Sequence, residues 1–338
     1  MATYKGIQGY SVQNLSSDPT ASTDTEGQLW YNGTGSPASD GAFKVVQEGA
    51  GAWSSGGAMN NTHSTTGGMG TQTAALVATG SYPATATSEE YNGSSWTEGD
   101  DVNNAMYGRA GCGTQTAGLL VLGSPPSYSA LCEEYDGTSW TEVNVANNGG
   151  ASGGSCGTQT AAVLSDRSQS PGIVAYNEEY DGTTWTETGG NLNSARHRYS
   201  TAGTQTAGLA AGGELASGTP DTTVVCEEYD GSTWTEVGDI PTATDNANVG
   251  PVGIQTAALM FGGQDGPGAG TDNHTATFSY DGTSWSTVGS LATGRNQLSG
   301  LGTQIAALAA GGKVGSTDQT VTEEFISPVY TVKTVTVS

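Results

Sequence analysis

Short runs of small and aliphatic residues recur along the chain, and an aromatic and polar segment with a glycine turn follows most of them. One such run extends from Thr256 to Gly263. An apolar run of this length, bounded by glycine, is typical of a buried strand. The dipeptide Asp136-Gly137 favours a tight hairpin turn between strands, as do its counterparts elsewhere in the chain. Helical periodicity and helix caps are absent, so the pattern predicts an all-β fold.

Two motifs repeat at intervals of 43 to 50 residues. The first, Gly-Thr-Gln-Thr-Ala or a close relative, occurs six times. The second, Glu-Glu-Tyr-Asp-Gly-Thr-Ser-Trp in Glu133 to Trp140, follows the first four copies and is relaxed in residues 278 to 285. The interval is typical of one four-stranded propeller blade. We predict a six-bladed β-propeller in which these residues have structural roles: Gln72, Gln115, Gln159, Gln205, Gln255, Gln304, Trp53, Trp96, Trp140, Trp185, Trp234 and Trp285.

The two ends of the repeat region are complementary. Trp53 precedes the first glutamine motif at the same offset as Trp96 precedes the second, so it belongs to a fourth strand without a third. The segment ending at Phe325 is a third strand without a following tryptophan. We therefore predict that an N-terminal strand completes the last blade and removes its open edge. The predicted domains are an N-terminal hairpin module (1–48), the propeller (49–327) and a C-terminal strand (328–338).

The repeats carry two resemblances. A second strand ending in Gly-Gly, as at Gly262-Gly263, followed by a tyrosine and a tryptophan, is similar to the kelch repeat, although the first three blades lack the Gly-Gly pair. The two motifs together, over residues 50 to 327, resemble the repeats of tail-fibre-like structural proteins of marine bacteriophages. The segment from Glu26 to Val46 resembles a hairpin near the start of many phage fibre proteins. These resemblances imply a virion protein, present in several copies per particle.

One face of the predicted propeller differs between blades. Because strands alternate in direction, the first-to-second and third-to-fourth turns share one face, and the other connections share the opposite face. Length variation is concentrated in the second-to-third loops, and binding groups are commonly presented on loops of a rigid scaffold. The alternative is that these loops are merely tolerated. The candidate binding residues are Tyr82, Tyr128, Arg167, Asp221, Asp265, His274 and Asp318.

The net charge of the chain disfavours nucleic acids and anionic membranes as partners. The chain has 9 Lys and Arg against 33 Asp and Glu, a formal net charge of -24. Such a surface repels nucleic acid phosphates and anionic membranes. No long apolar stretch indicates membrane insertion, and the N-terminus lacks the apolar core of a secretory signal. We expect a soluble protein made in the host cytoplasm and incorporated into a virion.

Candidate catalytic chemistry is sparse. The three histidines are isolated in sequence, which disfavours a zinc site or a histidine-based triad, and the four cysteines lack a CxxC motif and are expected to be buried thiols. Arg109, Arg198 and Arg295 are expected to have structural roles near the first strands. Repeated pairs such as Glu133-Glu134 allow a general acid and base or calcium ligands, but neighbouring strand residues point to opposite faces. A blade-building role with hydrogen bonds to neighbouring blades is favoured, with no metal or cofactor.

The predicted function is therefore non-catalytic. We expect a tail fibre or appendage component that binds a host-surface glycan or protein through the variable loops, with the hairpin module and the C-terminal strand contacting other virion proteins. One alternative is an architectural or decorating subunit of the head or tail, assembled through its termini. A propeller enzyme that degrades polysaccharide is the least favoured reading.

Overall fold

The computed structural model describes residues 13–15, 17–18, 20–21, 29–32, 42–80, 83–170, 172–215, 222–247, 250, 252–266, 273–327 and 329–334. These residues form strands, bridges and turns, and none of them belongs to a helix long and apolar enough to cross a membrane. The chain divides into two compact units, residues 52–326 and residues 1–51 with 327–338.

The larger unit consists of six four-stranded antiparallel sheets, blades I to VI. From first to fourth strand, blade I contains Gly67–Thr71, Ala74–Ala78, Ser88–Tyr91 and Trp96–Glu98, blade II Ala110–Thr114, Ala117–Val121, Cys132–Tyr135 and Trp140–Val143, and blade III Gly154–Thr158, Ala161–Gln169, Gly172–Tyr180 and Trp185–Glu187. Blade IV contains Ser200–Thr204, Ala207–Ala211, Cys226–Tyr229 and Trp234–Val237, blade V Gly253–Ile254, Ala257–Phe261, Thr277–Tyr280 and Trp285–Thr287, and blade VI Ser299–Thr303, Ala306–Ala310, Thr322–Ile326 and Ala52–Ser55. The predicted all-β, six-bladed propeller is confirmed.

The first strands surround a central axis. Each contacts the first strand of the next blade, and Ser299–Thr303 contacts Gly67–Thr71 to complete the circle. Space near the axis is limited, since a Cβ added at Gly67 would lie 2.0 Å from Leu120 of the next blade. This crowding explains why the first and second strands are built from glycine, alanine and short aliphatic residues. Further out, each of blades I to V has a tyrosine packed on its own tryptophan, as in Tyr135 and Trp140 with ring centroids 4.9 Å apart.

The ring closes in blade VI. Ala52–Ser55 pairs antiparallel with Thr322–Ile326, and Trp53 lies opposite Phe325. The indole of Trp53 packs against Phe261 of blade V at 4.8 Å and donates a hydrogen bond of 2.9 Å to Thr277 Oγ1. The predicted mixed blade, formed by both ends of the repeat region, is confirmed.

Short pairings extend some blades. Arg196–His197 pairs with Glu214–Leu215, and Lys313–Val314 pairs with Thr317–Asp318. In blade III the second and third strands continue as a long hairpin up to Gln169 and from Gly172. Arg167, predicted to lie on a second-to-third loop, lies instead within the second strand of blade III.

The smaller unit contains one four-stranded sheet. Gln13–Leu15 pairs parallel with Leu29–Asn32, which pairs antiparallel with Ala42–Gly49. Ala42–Gly49 pairs in turn with Val329–Thr334. The N-terminal hairpin and the C-terminal strand thus pair with each other, and Val329–Thr334 is an edge strand of the sheet.

Candidate binding face

The repeated glutamines join neighbouring blades. Gln115 Nε2 of blade II donates to the carbonyls of Ala75 and Tyr91 in blade I, at 3.0 and 2.9 Å. The same two-pronged contact recurs at each of the other blade boundaries, made by Gln72, Gln159, Gln205, Gln255 and Gln304, the last donating to Ser279 Oγ and the Tyr280 carbonyl. These side chains are used in holding the ring together.

The second glutamate of each pair accepts a hydrogen bond from the next blade. Tyr135 donates to Glu90 at 2.6 Å, and four equivalent tyrosine–glutamate pairs are Tyr91–Glu324, Tyr180–Glu134, Tyr229–Glu179 and Tyr280–Glu228. Burial and, after it, the hydrogen bond to Glu324 raise the pKa of Tyr91 to about 12. The predicted hydrogen bonds between the repeated glutamates and neighbouring blades are confirmed.

The carboxylate of the first glutamate in each pair binds residues of the segment that leads from the preceding blade into its own blade. Glu133 accepts hydrogen bonds from the Asn103 backbone N–H at 2.7 Å and from Arg109 at 2.5 Å. Equivalent ion pairs are Glu178–Arg167, Glu227–Arg196 and Glu323–Arg295, and His63 takes the place of the arginine beside Glu89. The four arginines are fully buried.

These ion pairs correct two predictions. Arg167 cannot contact a ligand on the loops, because its side chain is fully buried against Glu178. The expected structural role of Arg198 belongs instead to Arg196, two residues earlier. Arg198 pairs with Glu214 at 2.5 Å and is partly exposed.

The cysteines are free and buried, as predicted. Burial raises the pKa of the Cys132 thiol to about 12, so it is not a ready nucleophile. Cys132 occupies the position just before a glutamate pair. At three blade boundaries the residue at that position, Thr277, Thr322 or Asn177, accepts the indole N–H of the next blade's tryptophan.

A closed ring of backbone hydrogen bonds lies on the propeller axis, where the fourth-to-first connections enter the first strands. We call it the axial ring. Each residue donates its backbone N–H to the carbonyl of the next residue in the order Thr65, Gln297, Asn246, Arg198, Ser152, Gly108, and Gly108 donates to Thr65. The N to O distances are 2.7 to 3.0 Å. All six residues have φ between 48° and 67°. Only one is glycine, so the ring holds five side chains in a conformation that costs each of them about 1–2 kcal/mol.

The axial ring is the centre of the face that carries the second-to-third loops, which we call the loop face. In blades II to VI, the residue before the ring residue pairs through its backbone with the segment that follows or ends the second strand of its own blade. The described pairs are Tyr107–Ser124, Ala151–Ser168, His197–Glu214, Asp245–Gln264 and Asn296–Lys313. Blades II and III thus place hydroxyl and apolar side chains here, whereas blades IV to VI place charged and amide side chains.

We call the residues of blades IV to VI the polar sector: His197, Arg198, Glu214, Asp245, Gln264, Asn273, Asn296 and Lys313. Asn296 Nδ2 donates to Gln264 and Asn273, and Asn273 Nδ2 donates to the Lys313 carbonyl at 3.1 Å. Burial, with a further contribution from Arg198, lowers the pKa of His197 to about 4, so this imidazole is neutral near pH 7. Burial raises the pKa of Asp245 to about 6.

A shallow cleft of about 310 Å³ adjoins the polar sector and is lined by Thr242, Asn273, His274, Thr275 and Ala276. His274 Nε2 contacts Asp265 Oδ1 at 2.9 Å, and His274 Nδ1 contacts Thr244 Oγ1 at 3.3 Å. The cleft is open, and its lining combines the polar groups of Thr242, Asn273, His274 and Thr275 with apolar side-chain surface.

The other predicted binding residues are distributed around the loop face. Tyr128 is 39 % exposed, and its hydroxyl lies 3.1 Å from Ser168 of blade III. Asp318 lies near Lys313 of blade VI, and Tyr82 and Asp221 fall outside the described residues. Among the candidate residues that the structure describes, only Asp265 and His274 are in contact with each other.

Sequence reasoning missed Asp245, Asn296 and Arg198 as members of one cluster. They stand in connections outside the repeated motifs, where no sequence pattern marks them. Among the described residues, no group of three or more His, Cys, Asp and Glu side chains is placed to hold a metal ion.

Comparison with known proteins establishes the architecture. No known protein family matches the sequence, and no curated protein matches it. A solved structure titled "Structure of YjhT" aligns with a TM-score of 0.68, covering 83% of this chain and 100% of that one. The chain is a six-bladed β-propeller. At 12% sequence identity the similarity to YjhT, itself a propeller, concerns the fold alone.

Proposed function

We propose that this propeller is a non-catalytic component of a bacteriophage virion, in a tail fibre or similar appendage, and that its loop face binds a glycan or protein of the host surface. One observation carries the binding part: the repeated side chains are used between or within blades, whereas the side chains that differ between blades gather on the loop face. Tyr128, Asp265 and His274 are examples of the latter.

The rigidity of the propeller supports the proposed binding role. Glutamine, tyrosine and glutamate side chains link successive blades, and the axial ring fixes the inner ends of the loops. A rigid support lowers the entropic cost of binding because the loop bases are already ordered. The virion assignment has separate support, namely the resemblance of the two repeat motifs to phage structural proteins.

A second candidate function is architectural. Val329–Thr334 is an edge strand, paired on one side with Ala42–Gly49. An edge strand can add a strand from a neighbouring chain through its free backbone groups. This reading needs no ligand on the loop face, and it is compatible with a subunit that decorates a head or a tail.

Two experiments test the proposal. Gold-labelled antibody against the chain should decorate an appendage of intact particles, and labelling of capsids alone would favour the architectural candidate. Purified protein should bind host cells and compete with particle adsorption. Absence of binding at all concentrations, together with labelled particles, would contradict the receptor-binding part and leave the virion part standing.

A further inference from the structure

The loop face contains buried oxygen atoms without partners. Asp245 and Asn296 are 0% and 5% exposed, and Oδ1 of each has no hydrogen-bond partner among the described residues. Oε1 of Gln297, in the axial ring beside Asn296, has none either. Buried polar atoms in folded proteins are nearly always satisfied, so such a group requires an explanation.

Asp245 and Asn296 belong to one cluster. Gln264 pairs with Asp245 through its backbone, and its side chain accepts a hydrogen bond from Asn296 and interacts with Asp245. Asp245 and Asn296 therefore both contact the same Gln264 carboxamide. Asp245 Oδ2 accepts a hydrogen bond from the Asn246 side chain at 3.0 Å, which leaves Oδ1 as the unpartnered oxygen of the carboxylate.

The charge of Asp245 is also unbalanced. No ion pair joins Asp245 to a basic side chain in the described part of the chain, and the nearby Arg198 guanidinium is held by Glu214 at 2.5 Å. Arg198 lowers the pKa of Asp245 while Glu214 raises it, so this pair contributes little net charge to offset the carboxylate. The other basic side chains nearby have partners of their own: His274 contacts Asp265 and Thr244, His197 contacts Glu214, and Lys313 is directed to Asp318.

We propose that Asp245 and Asn296 form a site for a hard cation, with Ca²⁺ as the expected occupant. The unpartnered atoms of this pair are one carboxylate oxygen and one amide oxygen, ligand types that Ca²⁺ accepts together with water. A bound cation would satisfy the oxygens and balance the buried charge, and a bulky ligand could not reach atoms this deeply buried. The site stands independently of host binding. With one carboxylate, its affinity should lie toward the weak, millimolar end of calcium sites.

Titration calorimetry of the full chain tests the proposal. Divalent ions are first removed with a chelator, and the protein is then titrated with CaCl₂, MgCl₂ or NaCl at constant ionic strength. We expect one saturable calcium site in the wild-type protein. Asp245→Asn, which keeps the shape of the side chain, should weaken calcium binding by about tenfold or more, and Asn296→Asp should strengthen it by a similar factor. Asp265→Asn is the matched control, because it removes the same charge from an exposed position on the same face.

Thermal unfolding provides a second readout that does not depend on calorimetry. Without calcium, Asp245→Asn should melt at a higher temperature than wild type, because it removes a buried unbalanced charge. Saturating calcium should raise the melting temperature of the wild-type protein and leave that of the variant unchanged. Equal calcium responses in wild type and Asp245→Asn, or no saturable binding of any of the three cations by wild type, would overturn the proposal.

Discussion

Tyr135 of blade II donates a 2.6 Å hydrogen bond to Glu90 of blade I, and this contact recurs at every blade boundary except the one between blades V and VI. At that boundary both partners are replaced together, since Ser279 stands in the glutamate position and Phe325 in the tyrosine position. The paired replacement avoids leaving a buried carboxylate or hydroxyl without its partner.

Removing the tyrosine hydroxyl should weaken a blade boundary. Tyr135→Phe leaves Glu90 without its donor, and we expect the free energy of unfolding to fall by about 1.5–3 kcal/mol, as for hydrogen bonds to charged groups. Urea denaturation measures this change. The double variant Tyr135→Phe with Glu90→Gln should recover part of the loss, and a loss unchanged in the double variant would argue against the hydrogen bond as its cause.

The same tyrosines predict alkaline sensitivity. The pKa values of Tyr91 and Tyr229 are raised to about 12, through burial first and hydrogen bonds to glutamate as a further cause. A raised pKa in the folded state means that the stabilisation is complete below the ordinary value near 10 and is lost as the pH rises through 12. We expect unfolding midpoints in urea to decrease between pH 10 and pH 12. Tyrosinate absorbance that appears entirely near pH 10 in the folded protein would contradict this.

Asp166 predicts a second pH effect, near neutrality. Its carboxyl is fully buried, and burial raises its pKa to about 7. The stabilising effect of protonation is complete below its ordinary pKa and disappears as the pH rises through about 7, so the protein should gain stability as the pH falls from 8 toward 5. Asp166→Asn should stabilise the protein at pH 8 by on the order of 2 kcal/mol and flatten this pH dependence. An unchanged slope of stability against pH in the variant would show that other groups cause it.

Closure of the ring depends on Trp53. Trp53→Ala removes the packing against Phe261 and Phe325 and the hydrogen bond to Thr277, and should cost about 2–4 kcal/mol in chemical denaturation. Thr277→Val is the matched control, because it removes only the hydrogen-bond acceptor and should cost about 1 kcal/mol. Equal effects of the two substitutions would mean that the aromatic packing contributes little to closure.

The sequence was most informative where residues repeat. The equal offset of Trp53 and Trp96 from their glutamines was enough to predict that Trp53 pairs with the segment around Phe325, because repeats of one unit must occupy equivalent places. Arg167 was misassigned for the opposite reason. It has no counterpart at its position in the other blades, and only the strand continuing to Gln169 shows that its side chain points inward to Glu178.

The polar sector could not be predicted in the same way. Asp245 and Asn296 come from the connections of different blades, and their proximity depends on the pairing of Asp245 with Gln264 and on the axial ring. These contacts are made by backbone groups, which leave no pattern in the residue types.

The proposed binding of the host surface by the loop face can be tested directly. Binding to host cells, or to polysaccharide extracted from them, can be compared by biolayer interferometry for two double variants. Tyr128→Ala with Asp265→Ala alters the loop face, and Ile254→Ala with Ile305→Ala removes two exposed side chains, each 57% exposed, from the turns of the opposite face. We predict that the loop-face variant binds at least tenfold more weakly while the turn-face variant binds like wild type. Loss of binding in the turn-face variant with full binding in the loop-face variant would contradict the proposed binding through the loop face.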